Sequence, residues 1–342
     1  MKTFRLAFLG FGNVGRALAQ LFLDKQAELR DKHQIEFVVT GIATGHHGAA
    51  INPEGLDIEA ALVAAKSRQD LSVFSKVALP QNEVDFARRC GADVLFESIP
   101  VNYRSGQPAL DALRASLEQG MHVITANKGP VIHGYEELNR LAADRGKKFF
   151  FEATVMDGAP IFSLFREALP GANLKSFCGV LNSTTNMILS LMEYGNTFEQ
   201  AVAHCQEIGI AETNPDGDID GWDAAIKTAL LVTVLMGYPI KPDQVDRTGI
   251  RKITLQEVLM AEQSCKRWKL ICKAERQGDQ VFASVKPELV TPDMPVYHVE
   301  GTSSYIQFET DVLGQLSIME SDPGPHTTAY GMFADFLNAV RS

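Results

Sequence analysis

The first fifteen residues constrain this chain more than any other stretch. Residues 4–9 (FRLAFL) form an apolar run of strand length that leads directly into Gly10-Phe11-Gly12-Asn13-Val14-Gly15, and apolar positions at helical spacing follow over 14–30. Strand, glycine turn and helix in that order open a βαβ unit. The three glycines serve different physical ends. The first makes the tight turn, the second lets backbone approach a pyrophosphate, and the third allows the helix to lie close to the strand. The helix N-terminus adds unpaired N–H groups and a positive dipole end. Residues 10–15 therefore nominate a dinucleotide site.

The rest of the first half continues the alternation, with strand-like runs at 35–43, 93–99, 121–125 and 149–151 and a helix at 108–119 ending at Gly120. Strands alternating with helices imply an α/β, doubly wound parallel sheet of Rossmann type. After residue 150 the pattern changes. Runs at 174–180, 281–285, 305–309 and 316–319 read as strands of a second sheet that need not be parallel, beside helices at 184–194, 198–208 and from 222. A last helix at 327–340 is suited to pack back on the first domain. At roughly 100–200 residues per domain, 342 residues imply a dinucleotide-binding domain (1–150), a second α+β domain (151–320) and a C-terminal segment (321–342).

Charge and composition narrow the partners. With 42 acidic against 32 basic residues, a net charge of −10 opposes a nucleic-acid groove, which needs a basic stripe. No apolar run reaches the ~18 residues of a membrane span. Five scattered cysteines (Cys90, Cys178, Cys205, Cys265, Cys272) lack metal-binding or disulfide spacing and suit a reducing cytoplasm. A small-molecule substrate is the expected partner.

Candidate chemistry concentrates in two places. Six carboxylates crowd residues 207–223, and Asp223 and Lys227 stand i, i+4 on one helix face. A calcium loop needs glycine sixth and glutamate twelfth, which this string does not supply; a site for an ammonium-bearing substrate suits it better. Lys128 follows a parallel strand, at the edge where ligands of doubly wound sheets bind, and could stabilise charge on a substrate oxygen. After the second strand the chain reads Thr44-Gly45-His46-His47-Gly48, without the carboxylate that grips the ribose of NAD, so the sequence tilts toward NADP over NAD.

These motifs together resemble homoserine dehydrogenase: GFGNVG at 10–15, TANKGP at 125–130, EATVMDGAP at 152–160, GVLNSTTNMIL at 179–189 and GIAETNPDGDIDGWDAAIK at 209–227. The match spans nearly the whole chain and resembles the short form that lacks a C-terminal regulatory domain. The resemblance implies a Rossmann domain, a substrate and dimerisation domain, and a homodimer. It implies reversible hydride transfer between L-homoserine and L-aspartate 4-semialdehyde in threonine, methionine and isoleucine biosynthesis. Lys227 would transfer the proton, Lys128 would lie beside nicotinamide and substrate, and Asp218 would orient the lysines. Glu212 and Asp223 would bind the substrate ammonium. Gly209 and Gly324, with Gly10, Phe11, Gly12, Asn13, Val14, Gly15 and Lys128, would contact the cofactor. Glu152 with the Val155, Asp157 and Ala159 carbonyls would hold Na+. Three places depart from the family pattern: Ile99 where threonine is common, Asp157-Gly158-Ala159, and the turn at 322–326. They leave open an alternative, a related NAD(P)-dependent oxidoreductase acting on a different amino or hydroxy acid.

Overall fold

The computed structural model describes residues 1–341, in two units: Met1–Pro160 joined by the chain from Gly324, and Ile161–Pro323. The first unit runs β1 (Lys2–Leu9), α1 (Asn13–Asp24), α2 (Gln26–His33), β2 (Ile35–Ala43), β3 (Ala49–Ile51), α3 (Ile58–Lys66), α4 (Glu83–Arg89), β4 (Val94–Glu97), α5 (Ala109–Glu118), β5 (His122–Thr125), α6 (Lys128–Asp144) and β6 (Phe149–Phe150). Its sheet has the order β3-β2-β1-β4-β5-β6. All neighbours are parallel except β2 and β3, which are antiparallel. Strands buried on both faces explain why β1 and β4 read as nearly continuous apolar runs. The chain leaves β1 toward β2 and later returns to β4 on its other side. The strand order thus reverses between β1 and β4, and a crevice opens outside their carboxyl ends.

The second unit runs β7 (Leu174–Val180), α7 (Ser183–Glu193), α8 (Phe198–Glu207), α9 (Asp216–Ile219), α10 (Trp222–Leu235), β8 (Asp246–Arg247), α11 (Leu255–Gln263), β9 (Arg267–Gln277), β10 (Gln280–Val290), β11 (Ser304–Thr310) and β12 (Gly314–Glu320). The sheet order is β12-β11-β7-β9-β10-β8, antiparallel except between β10 and β8. It is mixed, as a second sheet that need not be parallel allows.

The last helix, α12 (Pro325–Val340), belongs to the first unit. Its fully buried Phe336 meets the rings of Phe4, Phe22 and Phe96 at centroid distances of 5.8, 5.2 and 6.1 Å. The single helix expected over 14–30 is two helices, broken at Lys25. The stripe that buries Leu18, Ala19 and Phe22 ends there, and α2 buries only Leu29. No helix among the described residues is long and apolar enough to cross a membrane.

Candidate active site

In the first unit the glycines occupy demanding positions. Gly10 has φ +103, and a Cβ there would sit 2.6 Å from the Ser98 carbonyl carbon. A Cβ on Gly15 would collide with the Gly10 carbonyl. At Gly12 a Cβ would meet nothing within 4 Å, so the second glycine faces open space, as an approaching pyrophosphate requires. Asn13 begins α1, is exposed, and accepts a hydrogen bond from Arg16 Nη2 at 2.9 Å. Phe11 is buried and its ring meets that of Phe8, while Val14 packs on the same core. Phe11 therefore has only backbone to offer a cofactor, while Val14 is half-buried. These surroundings fit a dinucleotide.

Beyond β4 and β5 the chain is held by a buried carboxylate. Glu97 Oε1 accepts from Ile99 N–H at 2.8 Å and Asn127 Nδ2 at 3.2 Å, and Oε2 accepts from the Thr125 hydroxyl. Asn127 caps α6 by accepting from Gly129 N–H at 2.9 Å, which places half-buried Lys128 at the first position of that helix. Burial pushes Glu97 up to about 7, against the three donors.

A cavity of about 460 Å³ lies beside the ends of β1 and β2. Leu9, Thr44, Gly45, Glu83 and Ile99 contribute to its lining, which includes no lysine or arginine among the described residues.

In the second unit a polar cluster forms where α7, α9 and α10 begin. Lys227 Nζ lies 3.1 Å from Asp223 Oδ2, with the two side chains only 15% and 13% exposed, and donates to the Leu181 carbonyl at 2.7 Å. Asn182 caps α7, accepting from Thr185 N–H at 2.8 Å. Its amide nitrogen donates to Asp218 Oδ1 at 2.7 Å and Asp223 Oδ2 at 3.0 Å. Burial raises the Asp218 pKa, with the charge of Asp223 adding to the effect. The hydrogen bonds of Asp218 go to Asn182 and Thr184, so it acts on Lys227 through charge. Glu212 is exposed, and its carbonyl accepts from Gln206 Nε2 at 3.2 Å. The cluster does not include its carboxylate. Gly209 has φ +77 just past the end of α8, where a left-handed residue terminates a helix.

Two of the six crowded carboxylates have a different partner. Asp216 and Asp220 both pair with Arg251 at the surface. Asn182 and the Leu181 carbonyl were missed as site residues. Their signal was present: an Asn-Ser-Thr-Thr string at a strand-to-helix junction marks a helix cap.

The departure at 157 reaches the first turn of α12, just after the departure at 322–326. Asp157, at φ +40, accepts from the Thr328 hydroxyl at 2.9 Å and the Thr327 hydroxyl at 3.3 Å, at the start of α12. Gly324 caps that helix with extended backbone and open space where a Cβ would stand. Glu152 and Val155 are buried; the Glu152 N–H donates to Asp335 Oδ2 at 2.7 Å, and Ala159 N–H to the Met156 carbonyl at 2.8 Å. Among the described residues no group of three or more His, Cys, Asp or Glu is placed to hold a metal. An ion held here would depend on backbone carbonyls.

Comparison with known proteins gives a consistent answer. Family models described as "Homoserine dehydrogenase, NAD binding domain" and "Homoserine dehydrogenase" match residues 10–152 and 160–337. An NAD(+)-dependent homoserine dehydrogenase of Pseudomonas canavaninivorans is 33% identical, the match covering 100% of this chain and 97% of the relative. A homoserine dehydrogenase of Methanocaldococcus jannaschii is 34% identical, covering 98% of each. A hyperthermophilic archaeal homoserine dehydrogenase solved in complex with NADPH has a TM-score of 0.84 at 29% identity, covering 99% of this chain and 98% of that one. The alternative of a related oxidoreductase for another amino or hydroxy acid is not favoured.

Proposed function

The chain belongs to the homoserine dehydrogenase family, and we propose how its residues divide the interconversion of L-homoserine and L-aspartate 4-semialdehyde. Lys227 Nζ takes the proton of the substrate hydroxyl in oxidation and returns it in reduction. The observation that carries this role is the cluster of Lys227, Asp223, Asn182 and Asp218, a lysine held in a sheltered site by a carboxylate and a carbonyl. Asp223 binds the substrate ammonium, whereas Glu212, to which the resemblance gave a share in this, stands exposed with its carboxylate outside the cluster. That ammonium competes with Lys227 for Asp223, which leaves the lysine less tightly paired, as a group that must give up and regain a proton requires. Asp218 biases the same lysine by its charge, and Lys128 stabilises charge on the substrate oxygen. A bound nicotinamide supplies the hydride acceptor and donor.

Gly10, Phe11, Gly12, Asn13, Val14 and Gly15 receive the cofactor pyrophosphate, with Gly209 and Gly324 as further contacts. The adenosine end takes the cavity beside β2. No carboxylate follows β2, which tilted the sequence toward NADP, but α4 brings Glu83 to this cavity and no lysine or arginine faces it among the described residues. Such a lining favours the ribose diol of NAD over a 2′-phosphate, so we assign NAD as the preferred cofactor. A kcat/KM at least tenfold higher with NAD than with NADP is expected, narrowed by Glu83→Gln. Glu152 and the carbonyls of Val155, Asp157 and Ala159 offer oxygen donors alone, which suits a hard cation such as Na+. Family resemblance supports a cytoplasmic homodimer in threonine, methionine and isoleucine biosynthesis.

Lys227→Ala tests the central role. Turnover of homoserine should fall by about 10³-fold or more while cofactor binding persists; retained turnover in the purified variant overturns the assignment.

A further inference from the structure

The most completely buried carboxylate of the first unit has no part in that division of labour. Glu97 is the last residue of β4, paired in register with Leu9 of β1 and Thr125 of β5, and its exposure is 0%. Burying a carboxylate is costly unless every oxygen finds donors, and Glu97 finds them on two segments that border the crevice. One is the loop after β4, through Ile99 N–H; the other is the start of α6, through Thr125 and Asn127. Asn127 ties these two together as well, since Nδ2 also donates to the Ile99 carbonyl at 3.3 Å and its own N–H donates to Thr125 Oγ1 at 2.9 Å.

The glycine turn is attached to the same loop. Ser98 N–H donates to the Leu9 carbonyl at 2.8 Å, its hydroxyl donates to the Gly10 carbonyl at 3.2 Å, and Gly10 lies too close to Ser98 and Ile99 to carry a side chain. Two pieces of chain that face a dinucleotide thus converge on the Glu97 carboxylate, the loop at 98–100 and the N-terminus of α6 with Lys128, and the turn at 10–15 is attached to the first of them through Ser98. The ionised carboxylate, which prevails above its raised pKa of about 7, accepts at both oxygens and so satisfies all three donors. Glutamine would turn an NH2 group toward Thr125 and deprive its hydroxyl of an acceptor.

We propose that Glu97 is a positioning residue for the cofactor crevice, holding the 98–100 loop and the first turn of α6 at the spacing the nicotinamide half of the dinucleotide requires. This rests on the reading of the crevice as the cofactor site. Glu97 touches neither substrate nor cofactor in this role; it acts through Ile99, Asn127 and Lys128. Its loss therefore weakens cofactor binding and, through Lys128, lowers kcat, while the ammonium-binding cluster of the second unit, and with it the homoserine KM, is unchanged.

The test uses the full chain carrying Glu97→Gln, with Thr125→Val as a second variant that keeps the shape and the Glu97 carboxylate but removes the hydroxyl that donates to Glu97 and accepts from Asn127 N–H. At pH 8, where Glu97 is ionised, the dissociation constant of reduced cofactor, followed by nicotinamide fluorescence, should rise about tenfold in Glu97→Gln and by less in Thr125→Val. The homoserine KM at saturating cofactor should stay within twofold. In the cofactor-free protein, amide exchange at Ile99 and Gly129 should quicken, a readout that needs neither cofactor nor turnover. Cofactor affinity within twofold of the parent in a folded Glu97→Gln protein overturns the proposal. So does a loss of thermal stability that shifts cofactor and homoserine constants together, which marks a merely structural residue. If Glu97→Gln does not fold, Thr125→Val decides between the same two outcomes. A parent protein that binds neither NAD nor NADP refutes the crevice reading itself, and this inference with it.

Discussion

Asn182 illustrates how one side chain can organise a site without doing its chemistry. Its carbonyl oxygen caps α7 while its amide nitrogen bridges two carboxylates that would otherwise repel. In Asn182→Ala the cap loss alone should cost about 1 kcal/mol, and Asp218 and Asp223 lose their shared donor. We expect kcat/KM for homoserine to fall by about 100-fold, ~2.7 kcal/mol of transition-state stabilisation, with the cofactor dissociation constant unchanged. Steady-state kinetics beside a cofactor titration measures both. The lysine and carboxylate of the Asp223 to Lys227 pair were legible from their i, i+4 spacing, because a helix fixes which residues share a face. The bridge from Asn182 was not, because it joins residues 36 and 41 positions apart. The acidic string misled in the opposite way: composition cannot tell Asp218, which faces the cluster, from Asp216 and Asp220, which face Arg251.

Helix α12 is decided by two kinds of contact. Its apolar spacing was readable, and Phe336 supplies the anchor among Phe4, Phe22 and Phe96. Phe336→Ala should destabilise the protein by ~3–5 kcal/mol, the range for emptying a buried aromatic site, measured by chemical unfolding. Its first turn is held by Asp157, which accepts from two threonine hydroxyls. Asp157→Ala should lower the melting temperature by about 2–4 °C, corresponding to ~1 kcal/mol. Asp157→Asn, which tolerates a positive φ and still accepts hydrogen bonds, should recover most of the loss. Elements that periodicity does not announce, β3, α3, α4, α6, β8, α9, α11 and β9 among them, are short, polar or without a clean period. In β9, charged Lys269 is wholly buried in the strand, donating to Asn186 Oδ1 at 2.9 Å and the Val299 carbonyl at 2.6 Å, which breaks the apolar pattern a buried strand leads one to expect.

For the molecule as a whole, buried titratable groups make stability depend on pH. Glu97 rises to about 7 from an ordinary 4.5 because burial disfavours its charge, so the folded chain keeps a proton that the unfolded chain gives up. Its contribution is greatest below pH 4.5 and is lost as pH rises through 7, a span of ~3 kcal/mol. His122, lowered to about 4 mainly by burial, works oppositely, losing stability as pH falls from 6.5 to 4. The difference between the parent and Glu97→Gln isolates the first effect. Urea unfolding of both between pH 4.5 and 8 should show the parent losing stability relative to the variant as pH rises, and parallel profiles would refute it. By itself the sequence determined the doubly wound first unit, the glycine turn and the lysine-bearing helix, because each follows from local periodicity and from backbone conformations that only certain residues adopt. The tertiary structure alone decided which carboxylates join Lys227, where Glu83 and Glu97 come to lie, and how α12 is pinned. Those depend on residues far apart in the chain, brought together by packing and by the need of every buried polar group for a partner.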